Sequence, residues 1–174
     1  MNVGKQVTGK NCKRAIRYQR PTPPVPATYA DVRLPEEYTT TTNNQQFLHY
    51  NNGQNAENRM LVFYSPDNLE RLPNAQTFFM DGTFSVAPHP CKQPNTIRVP
   101  FKDVTVYAFL PNKCQDTCRE LFQSSVDNCH ASNLQLNVQT IITDFEDAVL
   151  RPVTAVFGRQ INHKGCFYHL TQAS

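Results

Sequence analysis

The run VTVYAFL, residues 104 to 110, constrains the fold of this chain more than any other stretch. Both of its alternating sets are largely apolar, which suits a strand inside a sheet with both faces covered. Such a strand needs neighbours, and the sequence supplies them. QQFLHY (45–50), RMLVFY (59–64), TFFMDGTFSVA (77–87), the weaker TIRVPF (96–101), VQTIIT (138–143) and INHKGCFYHL (161–170) all read as strands. Between the first two, NNGQNAEN is a polar loop with an Asn-Gly turn signal. Pro88, Pro90 and Pro94 break the chain into a loop before TIRVPF.

Helical periodicity alternates with these runs. Ser65 and Pro66 offer a hydroxyl cap followed by proline at the first helical position, and Pro73 keeps that helix short. From Gln115 onward Cys118, Leu121, Phe122, Val126 and Cys129 recur on one stripe. Thr143 and Glu146 fit the capping-box pattern for a last helix. Its apolar side is Ala148, Val149, Val153, Val156 and Phe157, and Gly158 is its natural stop. Pro152 falls inside that helix and costs about 3 kcal/mol unless the helix kinks. Hairpin-compatible strands followed by alternating helices and strands predict a mixed α/β sheet with flanking helices. Polar groups then converge where strands meet helices along one edge.

A chain of 174 residues is expected to form one domain. Its charge is unevenly spread. Residues 1–20 hold Lys5, Lys10, Lys13, Arg14, Arg17 and Arg20 with no acid, so a segment of +6 precedes a body of −3 in a chain of net +3. Attraction for a polyanion therefore lies in the basic arm, although a short arm of this kind is more often simply solvated. PTPPVPATYADVRLP (21–35) is expected to run extended and solvated, with structure starting near Glu36. No apolar run resembles a secretory signal or approaches membrane-spanning length, so a soluble intracellular protein with reduced thiols is expected. The six cysteines, irregularly placed, suggest no disulfide framework.

Two aspartates stand at the ends of apolar runs: Asp81 after Phe78, Phe79 and Met80, and Asp144 after Ile141 and Ile142. Side by side they would repel one another unless a cation sat between them, and Mg²⁺ suits such a site of a few hard oxygens completed by water and phosphate. Pattern alone favours plainer roles. Asp81-Gly82 reads as a hairpin turn, and Asp144 as a helix cap with Glu146 and Asp147 complementing the helix dipole. Cys166 and His169 form a C-x-x-H with His163 nearby, which by itself is a weak metal signal.

Taken together, FFMDGTFSVAP, VYAFLPNK, IITDFEDAV and GCFYHLTQ, in this order, closely resemble the transposase domain of Mutator-like elements (MULE). The resemblance runs from LPEEY at residue 34 to residue 174. It implies a ribonuclease-H-like fold, C-terminally incomplete here, over residues 34–174, preceded by a basic arm and proline-rich linker over 1–33 that is expected to be disordered. It implies phosphoryl transfer on DNA by three acids holding two Mg²⁺ or Mn²⁺ ions, in the nucleus. Asp81 resembles the first metal-binding acid, Asp144 the second, and Cys166 with His169 the C-x-x-H that shapes the site in many relatives. The third acid, a glutamate on a downstream helix, has no counterpart in this chain, so a catalytically incomplete domain is expected. The alternative is a domesticated DNA-binding or protein-interaction module using the basic arm.

Overall fold

The computed structural model describes residues 25–82, 89–91, 93–99, 104–144 and 147–166. The basic residues Lys5, Lys10, Lys13, Arg14, Arg17 and Arg20, together with Glu146 and His169, lie outside this set. Seven strands build one mixed sheet: β1 (Leu48–Asn51), β2 (Leu61–Phe63), β3 (Thr77–Gly82), β4 (Gln93–Arg98), β5 (Val104–Leu110), β6 (Thr140–Thr143) and β7 (Asn162–Gly165). Their spatial order is β1-β2-β5-β4-β3-β6-β7. The pairs from β1 through β3 are antiparallel, whereas β6 runs parallel to β3 and β7 parallel to β6. The helices are α1 (Pro66–Leu69), α2 (Gln115–Ala131) and α3 (Asp147–Phe157).

Local chemistry accounts for most of these bounds. The Ser65 hydroxyl accepts from the Asn68 N–H at 3.3 Å and starts α1. On α2, Cys118, Leu121, Phe122 and Cys129 are buried as their spacing predicts, with Ser124 and Ser125 tucked in beside them. Both of these serine hydroxyls donate to the Leu121 carbonyl at 2.9 Å, so neither needs an outside partner. Helix α3 continues through Pro152 and ends at Gly158, whose φ of +91° is open to glycine but strained for other residues. The two long helices cover one face of the sheet. Phe157 of α3 lies 5.6 Å from Phe122 of α2 and 6.5 Å from Phe78 of β3, ring centre to ring centre.

Four expectations are corrected. First, β5 is not buried on both faces: Val106, Ala108 and Leu110 are covered, but Tyr107 is 42% exposed. Both sets are apolar, yet the helices pack on one side only. Second, Pro94 is not in a loop but inside β4, opposite Phe109 of β5. The ladder with β3 starts one residue later, at Asn95, so the missing N–H disturbs little. Third, Asp81-Gly82 is no hairpin turn, because both residues belong to β3 and pair with Thr96 and Asn95. Fourth, Thr143 is not the helix cap, because the residue after it, Asp144, is not helical; the reading of Asp144 as a cap depends on residues 145 and 146, which lie outside the described residues. Thr143 is still in β6, and its hydroxyl is engaged elsewhere.

The later part of the proline-spaced segment also departs from an extended, solvated course. Tyr29–Asp31 form a 3-10 turn docked on the sheet. The Tyr29 hydroxyl donates to the Leu110 carbonyl at 2.9 Å. Arg59, only 2% exposed, donates to the carbonyls of Val32 at 2.6 Å and Tyr29 at 3.3 Å, and its Nε donates to Asn51 Oδ1 at 3.2 Å. A charged side chain that begins a strand-like run thus faces inward and fastens a strap of residues 25–32.

Candidate functional site

Strand direction decides which ends meet. The C-terminal ends of β3, β5, β6 and β7 and the N-terminal end of β4 share one edge of the sheet. The parallel ladder between β3 and β6 pairs Thr77 with Thr140, Phe78 with Ile141 and Phe79 with Ile142. Two residues further along each strand stand Asp81 and Asp144, both half-buried. Neighbouring strands lie roughly 4.8 Å apart, so this register sets the two aspartate backbones side by side at that edge. Sixty-three positions of sequence are closed by one strand pairing.

The side chains sit differently. Strand alternation puts Asp81 on the face of Phe79, away from the buried Phe78 and Met80. Asp144, just past the end of β6, lines a small cavity of about 20 Å³ on the helical side with Asn95, Lys113, Cys118 and Thr143. That volume admits about one water molecule. A hydrated Mg²⁺, which keeps several waters, would have to stand at the open edge and not inside. Lys113 brings an ammonium into the surroundings of Asp144, where it would compete with any cation.

Thr143 organises the end of β6. Its hydroxyl donates to the Asp144 carbonyl at 2.6 Å and lies 2.8 Å from Nε2 of His163 on β7. The single hydroxyl hydrogen is committed to that carbonyl, so Nε2–H of His163 donates to Thr143. The Thr143 carbonyl accepts from the Cys166 N–H at 2.6 Å, which brings Cys166 to the same edge as Asp144. Cys166 follows the last residue of β7, and the other half of the C-x-x-H, His169, lies outside the described residues. Among the described residues no three His, Cys, Asp or Glu side chains gather as a metal site.

Sequence reasoning missed Thr143 as a tie between strands, Lys113 as a neighbour of Asp144, and the cluster that opens α2. There Asn112 Oδ1 accepts from the Cys114 N–H at 2.9 Å and from the Thr117 hydroxyl at 2.7 Å. The exposed Cys114 thiol lies 3.1 Å from that hydroxyl, and this contact lowers its pKa. The signal, N-K-C-x-x-T before a helical stripe, is an Asx turn leading into a helix. All five described cysteines are free.

Residues 103–173 match the MULE transposase domain. The match takes in β5, α2, β6, α3 and β7, and with them Lys113, Asp144 and Cys166. Asp81 lies upstream of it, joined to the MULE segment by the β3–β6 ladder. No curated protein matches the chain. Among the described residues, no helix is long and apolar enough to cross a membrane.

Burial of His163 in this segment pushes its pKa below the ordinary value of 6.5. The folded protein then binds fewer protons than the unfolded chain between that depressed value and 6.5. Stability should hold above 6.5 and fall as the pH drops through this window. Urea midpoints measured against pH should show the decline. His49, whose pKa is lowered mainly by burial too, contributes in the same sense, so His163→Gln should remove only part of the slope.

Proposed function

We propose that this chain is a transposase-derived domain of the ribonuclease-H-like, DDE type that handles DNA, and that Asp81 and Asp144 are its first and second acids. The register that sets Asp81 beside Asp144 carries the reading. The strand order β5-β4-β3-β6-β7 supports it, because a central β3 flanked by an antiparallel hairpin and by two parallel strands is the arrangement this fold uses. The MULE match supports the DNA-directed function.

Each aspartate offers hard carboxylate oxygens, but Asp81 stands on the face of Phe79 and Asp144 lines the helical side, so a divalent ion shared by both would have to stand at the open edge between them, with water completing its shell. When bound, Mg²⁺ or Mn²⁺ would supply an activated water and a Lewis acid for phosphodiester chemistry. The chain's own contribution is positional. Thr143 and His163 fix the end of β6, and the Thr96 hydroxyl donates to the Asp81 carbonyl at 3.4 Å. Cys166, with His169, would shape the approach to Asp144. Two assigned acids of three leave such an ion loosely held, and two-metal chemistry depends on geometry. Weak or absent catalysis by these 174 residues follows. Action on DNA in the nucleus is part of the same reading.

The second reading is a non-catalytic DNA-binding or protein-interaction module. Lys113, which lines the same small cavity as Asp144, favours it, since an ammonium there can balance the carboxylate that a metal would otherwise balance. Incubation of the purified chain with supercoiled DNA and Mn²⁺ or Mg²⁺ separates the two. Little or no nicking is expected from the wild type, and Lys113→Ala should raise whatever is present. Strong nicking abolished by Asp81→Asn and by Asp144→Asn would show a working nuclease. Nicking indifferent to both substitutions would remove these aspartates from the site.

A further inference from the structure

Helices α2 and α3 cover one face of the sheet, and strand register fixes what the opposite face carries. Phe79 pairs with Arg98 on one side and with Ile142 on the other, and Ile142 pairs with Lys164. These four residues form one row across β4-β3-β6-β7 with a cation at each end. Three strand spacings put the two cations roughly 14 Å apart, and both are exposed. Phe79 is 39% exposed and Tyr107 of β5 is 42% exposed, although each is a large ring within a strand. Tyr107 pairs with Thr96, which pairs with Asp81, so this second ring stands one row nearer the aspartate edge. Two strand spacings and two residues separate the rings, or roughly 12 Å. Among the described residues of β3, β4, β6 and β7, Asp81 is the one acid on this face.

Exposed rings interleaved with cations on an open sheet offer π-faces to bases and positive charge to phosphates. A duplex keeps its bases in their own stack, so it cannot use the rings. A second copy of the chain suits the row badly. Both ends are cationic, so either two-fold arrangement over it would set cation against cation.

We propose that this open face is a stacking platform for single-stranded nucleic acid, with Phe79 and Tyr107 receiving bases and Arg98 and Lys164 the phosphates. The proposal rests on the DNA-handling reading above and adds to it the form of the strand and the face that holds it. The platform also leads somewhere: Phe79 lies two residues before Asp81 on the same face, roughly 7 Å along β3. A strand stacked there reaches the carboxylate edge with its bases already unpaired.

The test measures affinity of the full chain, against salt, for a short labelled thymidine strand, an abasic strand of equal length and a duplex. The basic residues at positions 1–20 are common to every variant, so ratios of affinity report the face alone. Phe79→Ala and Tyr107→Ala should each weaken thymidine-strand binding about tenfold and leave the abasic strand and the duplex unaffected. Phe79→Tyr, which keeps a π-face, should bind as the wild type does, and urea midpoints identify any variant that has lost its fold. Arg98→Gln and Lys164→Gln should each flatten the log–log salt slope for the thymidine strand by about 0.7.

Thymidine-strand binding indifferent to both aromatic substitutions, or an equal loss on the abasic strand, would overturn the platform and leave the DNA-handling reading standing. A wild-type dimer in sedimentation that Phe79→Ala dissociates would likewise overturn it, since a second copy would then occupy the face. Absence of salt-dependent binding to any of the three nucleic acids would sink both.

Discussion

Replacing Arg59 by alanine is expected to destabilise the fold by about 3 kcal/mol, one of the two largest effects foreseen for a single change. The guanidinium is 2% exposed and held by neutral oxygens: the Val32 and Tyr29 carbonyls and Asn51 Oδ1. Burial lowers its pKa, with Arg33 adding a smaller repulsion. Removal therefore relieves a desolvation cost but strands two strap carbonyls and opens a cavity, and the second pair of losses is the larger. A hydrogen bond to a charged group contributes about 1.5–3 kcal/mol net, which sets the size of the figure. Lysine keeps the charge but cannot reproduce the planar fork, so Arg59→Lys should recover less than half of the loss. Urea midpoints at unchanged slope would measure both. Limited proteolysis supplies the local test: cleavage within residues 25–32 should accelerate more than global stability predicts, because the strap is released before the sheet opens. Equal loss in both readouts would mean that Arg59 supports the sheet and not the strap.

Phe122→Ala is the other, at about 4 kcal/mol. Its ring is 1% exposed and lies 5.6 Å from Phe157, which in turn meets Phe78 edge-on at 6.5 Å. The three rings join α2, α3 and β3, so the cavity opens at the seam between both helices and the strand that carries Asp81. Neighbouring Cys118, Leu121 and Val153 are already packed and cannot close in without moving a helix. Phe122→Leu, which leaves a smaller void, should cost roughly half as much. Thermal or urea unfolding decides the matter, and a loss below about 1 kcal/mol would show that the helices rest on the sheet independently.

Much of the local structure was legible from spacing. The stripe on α2, the Ser65 cap with Pro66, the stop at Gly158 and the extent of β5 each follow from interactions a few residues long. Errors arose where one local pattern had two uses. Asp-Gly between apolar runs is a turn signal, yet in β3 the pair continues the strand because Thr96 and Asn95 of β4 lie opposite. Thr143 fits a capping box, but its hydroxyl is claimed by the Asp144 carbonyl and His163. Arg59 opens the strand-like run RMLVFY, and only the chain returning from residues 29–32 gives its guanidinium the Tyr29 and Val32 carbonyls as acceptors.

The sequence alone determined which segments are strands or helices, where the positive charge lies, and which two aspartates deserve notice, since periodicity, caps and charge are properties of near neighbours. Only the tertiary structure decided that β6 docks parallel beside β3, that one face of β5 stays partly open, and that a strap fastens at the aspartates' edge. Those outcomes depend on contacts between residues tens of positions apart. Such pairings are selected by the burial of a whole face at once, and no window of sequence contains that choice.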